Sequence, residues 1–300
     1  MSEKRFKTME EFAEAVSTEF EKRIDKRVML QKINKNNGVV WYGLTVVEDQ
    51  FNVSPTIYIE QLYRFYEDVG MEAIMDRVTQ IYEENKPKQS IDVNQFLDYE
   101  IAKEKLAVKL INYEKNKEML EEIPHIKFLD LAIVPIIRIE EFLFEEGIAT
   151  ITVKNNLQQT WKVDTEEIIK TALANIRGET IFGDIVDMID FDGFENVCDK
   201  LWGNMYVISN KVKVFGASAI LWTDDLRDFA DCIREDTLTI LPSSIHGCIV
   251  LIGDVSGKNL EKLKRKVKRF NETVVNEQEV LSDNVYIYHR ATDEITIAIA

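Results

Sequence analysis

The sequence predicts an α+β protein: mixed antiparallel sheets with flanking amphipathic helices, in one large domain or two modest ones. Three observations carry this. Strand-like and helix-like apolar patterns intermix over the 300 residues, without the regular alternation that marks a parallel βαβ sheet. Asn36-Asn37-Gly38 stands between two β-branched runs, Val28–Ile33 and Val39–Val47, which is the turn chemistry of an antiparallel hairpin. Leu260, Leu263, Val267, Phe270 and Val274 recur at intervals of three and four, laying one apolar stripe along a helix over Gly257–Asn276. A division near residue 118 separates a helix–hairpin–helix region (1–118) from a second α+β region (119–300) that carries Leu241-Pro242-Ser243-Ser244-Ile245-His246.

The elements follow in order. Thr8–Ile24 is amphipathic, with Thr8 as its cap and Glu11 at capping-box distance. After the hairpin, Ser54-Pro55 interrupts and Ile57–Ile59 gives a short third strand. Leu62, Phe65, Tyr66 and Val69 mark one helix, and Ile74, Met75, Val78, Ile81 and Tyr82 the next, with Gly70 between them as a C-cap. Lys86-Pro87-Lys88-Gln89-Ser90 breaks the pattern. Val93–Lys105 reads as helix, and Ala107–Asn112 fits helix or strand. Ile126–Ile139 and Ile148–Val153 read as strands around the acidic turn Glu145-Glu146-Gly147. Asp164 caps a helix through Ile176 that Gly178 stops, and Ile181–Leu201 reads as helical in parts. Tyr206–Ser209 and Ala217–Trp222 read as short apolar strands, and Thr223 as the cap of a helix to Ile233. Leu238–Leu241 and Cys248–Gly253 are strands flanking the serine–histidine segment, and Val285–His289 with Glu294–Ile299 closes as a hairpin.

Composition narrows the function classes. Aromatic residues make up 10% of the chain, which argues for a packed core over disorder. The longest apolar candidate for a membrane span, Phe128–Ile139, falls short of the roughly 18–20 residues a span needs and contains Asp130, Pro135 and Arg138. The first residues, MSEKRFKTMEEF, have no apolar export core. Cys198, Cys232 and Cys248 are widely spaced and odd in number, as expected of reduced thiols. Together these predict a soluble cytoplasmic protein. The net charge of −16 repels nucleic acid and anionic membrane at long range. Lys258–Phe270 is the local exception: seven Lys/Arg against one Glu give +6, leaving −22 for the rest.

Candidate sites are few. Ser243, Ser244 and His246 supply a nucleophile and a base if the fold brings a hydroxyl to the imidazole and orients the ring with a third group. In an extended segment Ser244 and His246 share a face and Ser243 points away, and the chain has no GxSxG elbow. The competing and favoured reading is a Pro-Ser-Ser turn between two strands, with His246 in one fixed hydrogen bond. Metal binding is not expected: His125, His246 and His289 are far apart in sequence, with no HExxH or cysteine cluster. The acidic series Asp184, Asp187, Asp190, Asp192, Glu195, Asp199 lacks the spacing of a calcium loop and reads as a solvated helix edge. Lys262, Arg265, Lys266 and Arg269 could contact an anion; the plainer reading is the charged outer face of an amphipathic helix. No glycine-rich phosphate cradle is present, and no cofactor is expected.

Several stretches resemble one family. They include Asn36-Asn37-Gly38-Val39-Val40, Pro55-Thr56-Ile57-Tyr58, Ile81-Tyr82-Glu83-Glu84-Asn85 and Lys109-Leu110-Ile111-Asn112-Tyr113-Glu114-Lys115-Asn116. Further on come Phe128-Leu129-Asp130-Leu131-Ala132-Ile133, Phe215-Gly216-Ala217, Leu241-Pro242-Ser243-Ser244-Ile245-His246 and Leu281-Ser282-Asp283-Asn284-Val285-Tyr286. In this order they resemble the uncharacterised bacterial domain-of-unknown-function family 5688, frequent in anaerobic Gram-positive gut bacteria. The resemblance brings no activity, fold or ligand with it. The family pattern commonly places an acidic residue after this histidine; Gly247 stands there here, which weakens any mechanism needing a His–carboxylate neighbour pair. The expectation is therefore a cytoplasmic binding or interaction protein without catalytic activity, with a protein partner possible and nucleic acid not expected. The alternative is a hydrolase-like enzyme assembled around Ser244 and His246.

Overall fold

Thr8 starts the first helix, α1 (Met9–Ile24), by accepting the Glu11 backbone N–H on its hydroxyl at 3.2 Å. Glu11 completes the cap one residue earlier than a standard box, accepting the Lys7 N–H at 2.9 Å. In the computed structural model, residues 6–48, 54–86, 92–139, 149–184, 205–252, 255 and 257–299 are described. They divide into two units, one drawn from Met1–Leu97 with Ile139–Thr150, the other from Asp98–Arg138 with Ile151–Ala300. The predicted turn over 145–147, the polar break at 87–90 and most of the acidic series lie outside the described residues.

In the first unit, β1 (Val28–Asn34) and β2 (Val40–Val46) pair antiparallel, with Val28 opposite Val46. Asn37 (φ 62°) and Gly38 (φ 71°) make the turn in the left-handed region that Asn and Gly tolerate best. The third strand, β3 (Thr56–Tyr58), adds to β2 with Tyr58 opposite Gly43. Helix α2 (Glu60–Asn85) is broken at Gly70, whose φ of 78° and ψ of 165° no helical residue adopts. Phe12, Val16, Phe20, Leu44, Ile74 and Val78 are buried in the core between α1, α2 and the sheet.

A 3₁₀ turn (Val93–Leu97) ends the first stretch of the first unit, and the second unit begins with α3 (Tyr99–Ala102) and a further 3₁₀ turn (Lys103–Lys105). The ambiguous run that follows is a strand, β4 (Leu106–Asn112), buried along nearly its whole length. After α4 (Lys117–Leu120), the apolar stretch 126–139 is two strands rather than one. Leu129 (φ 56°) turns β5 (Ile126–Phe128) back on β6 (Leu131–Ile139), and β4 pairs with the other edge of β6. Strand β7 (Ala149–Thr152) pairs with β6, and α5 (Asn155–Trp161) follows without a side-chain cap. Helix α6 (Thr165–Asn175) has the predicted cap, Asp164 accepting the Glu167 N–H at 2.8 Å.

A six-stranded antiparallel sheet in the order β13-β12-β10-β11-β9-β8 forms the rest. Its strands are β8 (Thr180–Asp184), β9 (Met205–Asn210), β10 (Thr237–Ser244), β11 (Gly247–Ile252), β12 (Tyr286–His289) and β13 (Glu294–Ile297). Helix α7 (Thr223–Ile233) connects β9 to β10, and α8 (Gly257–Thr273) connects β11 to β12. Leu260, Leu263 and Val267 of α8 pack on Val207, Leu241, Leu251 and Ile287, each buried side chain contributing about 1.5–3 kcal/mol.

Four expectations need correction. The described start of the predicted helix 181–201 is strand β8, paired with β9 from Thr180↔Asn210. Ala217–Trp222 is not a strand but a 3₁₀ turn, Gly216–Leu221: Phe215 enters at φ 54°, and the Ala217 N–H bonds the Ile245 carbonyl at 3.2 Å. Thr223 does not cap α7; it is the first helical residue, and its hydroxyl bonds the Asp293 carboxylate at 3.0 Å. Pro242, Ser243 and Ser244 do not form the turn before β11. They prolong β10, and Ile245-His246 alone turn the chain. The sheet architecture itself is the α+β arrangement predicted, with three antiparallel sheets among the described residues and helices packed on them.

Candidate functional site

The hairpin of β10 and β11 positions the serine–histidine segment. Ladder pairing runs from Leu238↔Ile252 to Leu241↔Ile249, then shifts register before Ser244↔Gly247. Pro242 cannot donate to a ladder, which accounts for the irregularity at that place. The segment leaves β11 and takes its bonds from the stretch before β12. Ser282 N–H donates to the Pro242 carbonyl at 2.8 Å, Leu281 N–H to Ser243 at 3.1 Å, and Ile245 N–H to Glu279 at 2.8 Å. Beside it opens a cavity of about 270 Å³, walled by Val207, Ile249, Phe270 and Val275, with His246, Ser243, Ser244 and Glu279 among its polar lining.

His246 is held on three sides. Its Nδ1 accepts the Phe215 backbone N–H at 3.3 Å, and the two rings stack at 5.8 Å and 18°. A backbone N–H can only donate, so Nδ1 carries the lone pair and the ring proton sits on Nε2. The His246 carbonyl accepts the Ser209 hydroxyl at 2.7 Å, and its N–H donates to Ser244 Oγ at 3.1 Å. Burial pushes the imidazole below the ordinary histidine range, and the Glu279 carboxylate opposes that only in part. The ring is thus a neutral donor at physiological pH.

The three predicted site residues are brought together, but without a nucleophile–base bond. Ser244 Oγ is occupied by the His246 main chain, and Ser243 is buried in the cavity wall. Among the described residues no hydroxyl or carboxylate hydrogen-bonds the imidazole. Phe215 and Glu279 were invisible as site residues, since one contributes its backbone N–H and the other lies 33 positions along the chain. Gly216 permits the approach: a Cβ there would stand 2.1 Å from Ser209 Oγ and 2.7 Å from the His246 carbonyl.

Most of the family-like stretches of this unit meet in a second polar cluster. Asp130 accepts Ser282 Oγ at 2.6 Å, Asn284 Nδ2 at 2.9 Å and the Tyr286 hydroxyl. Its own carbonyl accepts the Tyr113 N–H at 2.9 Å. Asn112 donates to the Leu281 carbonyl at 3.0 Å, and Asn271 to the Ser282 carbonyl at 3.0 Å. Burial, then the neighbouring Asp130 charge, pushes the Tyr286 phenol far up, so it stays protonated and donates. Every bond to the Asp130 carboxylate ties the β5–β6 turn to β12 and the residues just before it, which is the work of a structural clamp.

The remaining candidates separate cleanly. Lys262, Arg265, Lys266 and Arg269 share the exposed face of α8, with Leu263 and Val267 turned inward. Along this helix Lys268 pairs with Glu272 at 4.0 Å. Among the described residues no group of three or more His, Cys, Asp or Glu side chains could hold a metal ion. Burial pushes the Cys248 thiol far up, so it is no thiolate nucleophile, and Cys232 is exposed. No helix of the described residues is long and apolar enough to cross a membrane.

Fold and site together define an α+β protein with a histidine-lined cavity and no assembled nucleophile among the described residues. The chain belongs to the family of unknown function DUF5688, which matches residues 9–290. No curated protein and no solved structure matches it.

Proposed function

We propose that this is a soluble, cytoplasmic bacterial binding protein without catalytic activity, which takes a small ligand in the His246 cavity of its second unit. The observation that carries this reading is how the imidazole is used. The Phe215 N–H occupies Nδ1, the Ser244 hydroxyl is spent on the main chain, and the ring's remaining polar atom is Nε2–H. A neutral donor among apolar walls orients a ligand; a general base would need a hydroxyl in reach. The cytoplasmic assignment is supported by the free thiols of Cys232 and Cys248. Nucleic acid is not expected as a partner, given the charge of −16.

The test pairs two measurements on the full chain. A fluorophosphonate probe, which phosphonylates activated serines with loss of fluoride, is expected to leave Ser243 and Ser244 unmodified. A thermal-shift screen of small carbonyl-bearing ligands is expected to yield stabilisers whose effect disappears in Val207→Trp, which fills the cavity. Labelling of Ser244 that His246→Ala abolishes would replace this reading with the hydrolase.

A further inference from the structure

The first unit holds a second cavity, of about 320 Å³, whose walls are aromatic and acidic: Trp41, Tyr58, Ile57, Gln61, Ile81 and Glu60. The hairpin register explains how they meet. Tyr58 lies opposite Gly43, so Trp41, two residues from Gly43, projects on the same face as Tyr58. The rings stand edge to face at 5.2 Å and 61°. Glu60 begins α2 directly after β3 and anchors one carboxylate oxygen on the Tyr42 backbone N–H. Its other oxygen, Oε2, is buried with no hydrogen-bond partner among the described residues.

An unpaired buried carboxylate oxygen beside two electron-rich ring faces calls for a cation. The rings already hold one: Lys35 Nζ sits 3.7 Å from the Tyr58 ring centre and 5.6 Å from that of Trp41. Lys35 makes no ion pair with Glu60 among the described residues; its charge, held over the rings, offsets the carboxylate only in part and leaves Oε2 without a hydrogen bond. Burial is the largest influence on Glu60 and raises its acid range, the cost a bound cation would relieve. An anion would meet that carboxylate, and a neutral donor could bond Oε2 without offsetting its charge. A bare metal ion would find a single carboxylate among aromatic walls, a poor ligand set.

We infer that the cavity bounded by Trp41, Tyr58 and Glu60 is a binding site for a small organic ammonium ion, its charge against Glu60 and its alkyl groups on the rings. This site is separate from the His246 cavity and stands whether or not that cavity binds a ligand.

The experiment uses the full chain, with the Trp41 indole N–H resonance assigned through Trp41→Phe. Choline is titrated as the cation, and 3,3-dimethylbutan-1-ol as its uncharged isostere. The Trp41 resonance should shift saturably with choline, and the isostere should bind at least about tenfold more weakly. Glu60→Gln, which keeps an acceptor for the Tyr42 N–H, should weaken choline by a similar factor without changing the far-ultraviolet circular dichroism. Equal responses to choline and isostere would overturn the inference, as would no saturable shift, or full affinity in folded Glu60→Gln. Should Glu60→Gln fail to fold, the choline–isostere comparison on the unaltered chain decides alone.

Discussion

The Ser282 hydroxyl donates to the Asp130 carboxylate at 2.6 Å across 152 residues of chain, and the Tyr286 hydroxyl reaches the other oxygen of the same carboxylate. Removing the acceptor strands three donors at once. Asp130→Ala should therefore cost about 2–4 kcal/mol in chemical denaturation, against about 1 kcal/mol for Tyr286→Phe. A double-mutant cycle should show the two effects to be strongly non-additive. Additive losses would mean that the bonds do not act as a unit.

This clamp also marks what was legible beforehand. The periodic elements were readable because each signal is local: the Thr8 and Asp164 caps, the Asn37-Gly38 turn, the stripe of Leu260, Leu263 and Val267. Gly216–Leu221 was not, because its small apolar run looks like a strand until the left-handed Phe215 and the bond to Ile245 are known. For the site, the spacing of Ser244 and His246 was readable, and the structure joins them through the His246 N–H. Their bonding was beyond reach, because Phe215 and Glu279 join them through tertiary contacts. The resemblance to the family picked out Asp130 and Ser282 as stretches but gave them no role.

Gly216 and Gly178 give a paired test of backbone room. At Gly216 an added Cβ meets the Asn210 nitrogen at 2.6 Å and the His246 carbonyl at 2.7 Å, both main chain that cannot step aside. Gly216→Ala should cost about 2–4 kcal/mol and release the His246 ring. Gly178 has φ 80° but open space around it, so Gly178→Ala should cost about 1 kcal/mol. Urea denaturation of both variants checks the ranking.

His246 sets a pH dependence with a definite sign. Its acid range in the fold lies below that of the unfolded chain, because burial disfavours the imidazolium. As pH falls below about 6.5 the unfolded chain takes up this proton first, so stability drops until the folded ring titrates too. The contribution is complete above the unfolded value. Melting temperatures measured from pH 7.5 down to 5 should fall less steeply in His246→Gln than in the unaltered chain. Parallel curves would assign the acid sensitivity elsewhere.

The two described cysteines should differ in reactivity. Cys232 is exposed and Cys248 is buried with its thiol held protonated. Peptide mapping after brief iodoacetamide treatment should find Cys232 alkylated and Cys248 intact, with Cys248 reacting only in denaturant.

The basic face of α8 should behave as solvated charge. With −22 on the remainder of the chain, the protein should leave heparin below about 0.15 M salt. Replacing Lys262, Arg265, Lys266 and Arg269 by Gln should change stability by less than about 1 kcal/mol, read by calorimetry. Retention at physiological salt, lost in the quadruple variant, would make this face an anion contact.

The reach of the Asp130 clamp sets a timetable for synthesis. The β4–β6 sheet leaves the ribosome with its carboxylate facing water, and the Ser282 and Tyr286 hydroxyls that complete it are made about 8–30 s later, at ordinary elongation rates of about 5–20 residues per second. Through that interval the nascent sheet is an unfinished half with apolar strands uncovered, and shielding during translation, more than final stability, would set how much of the protein a cell recovers.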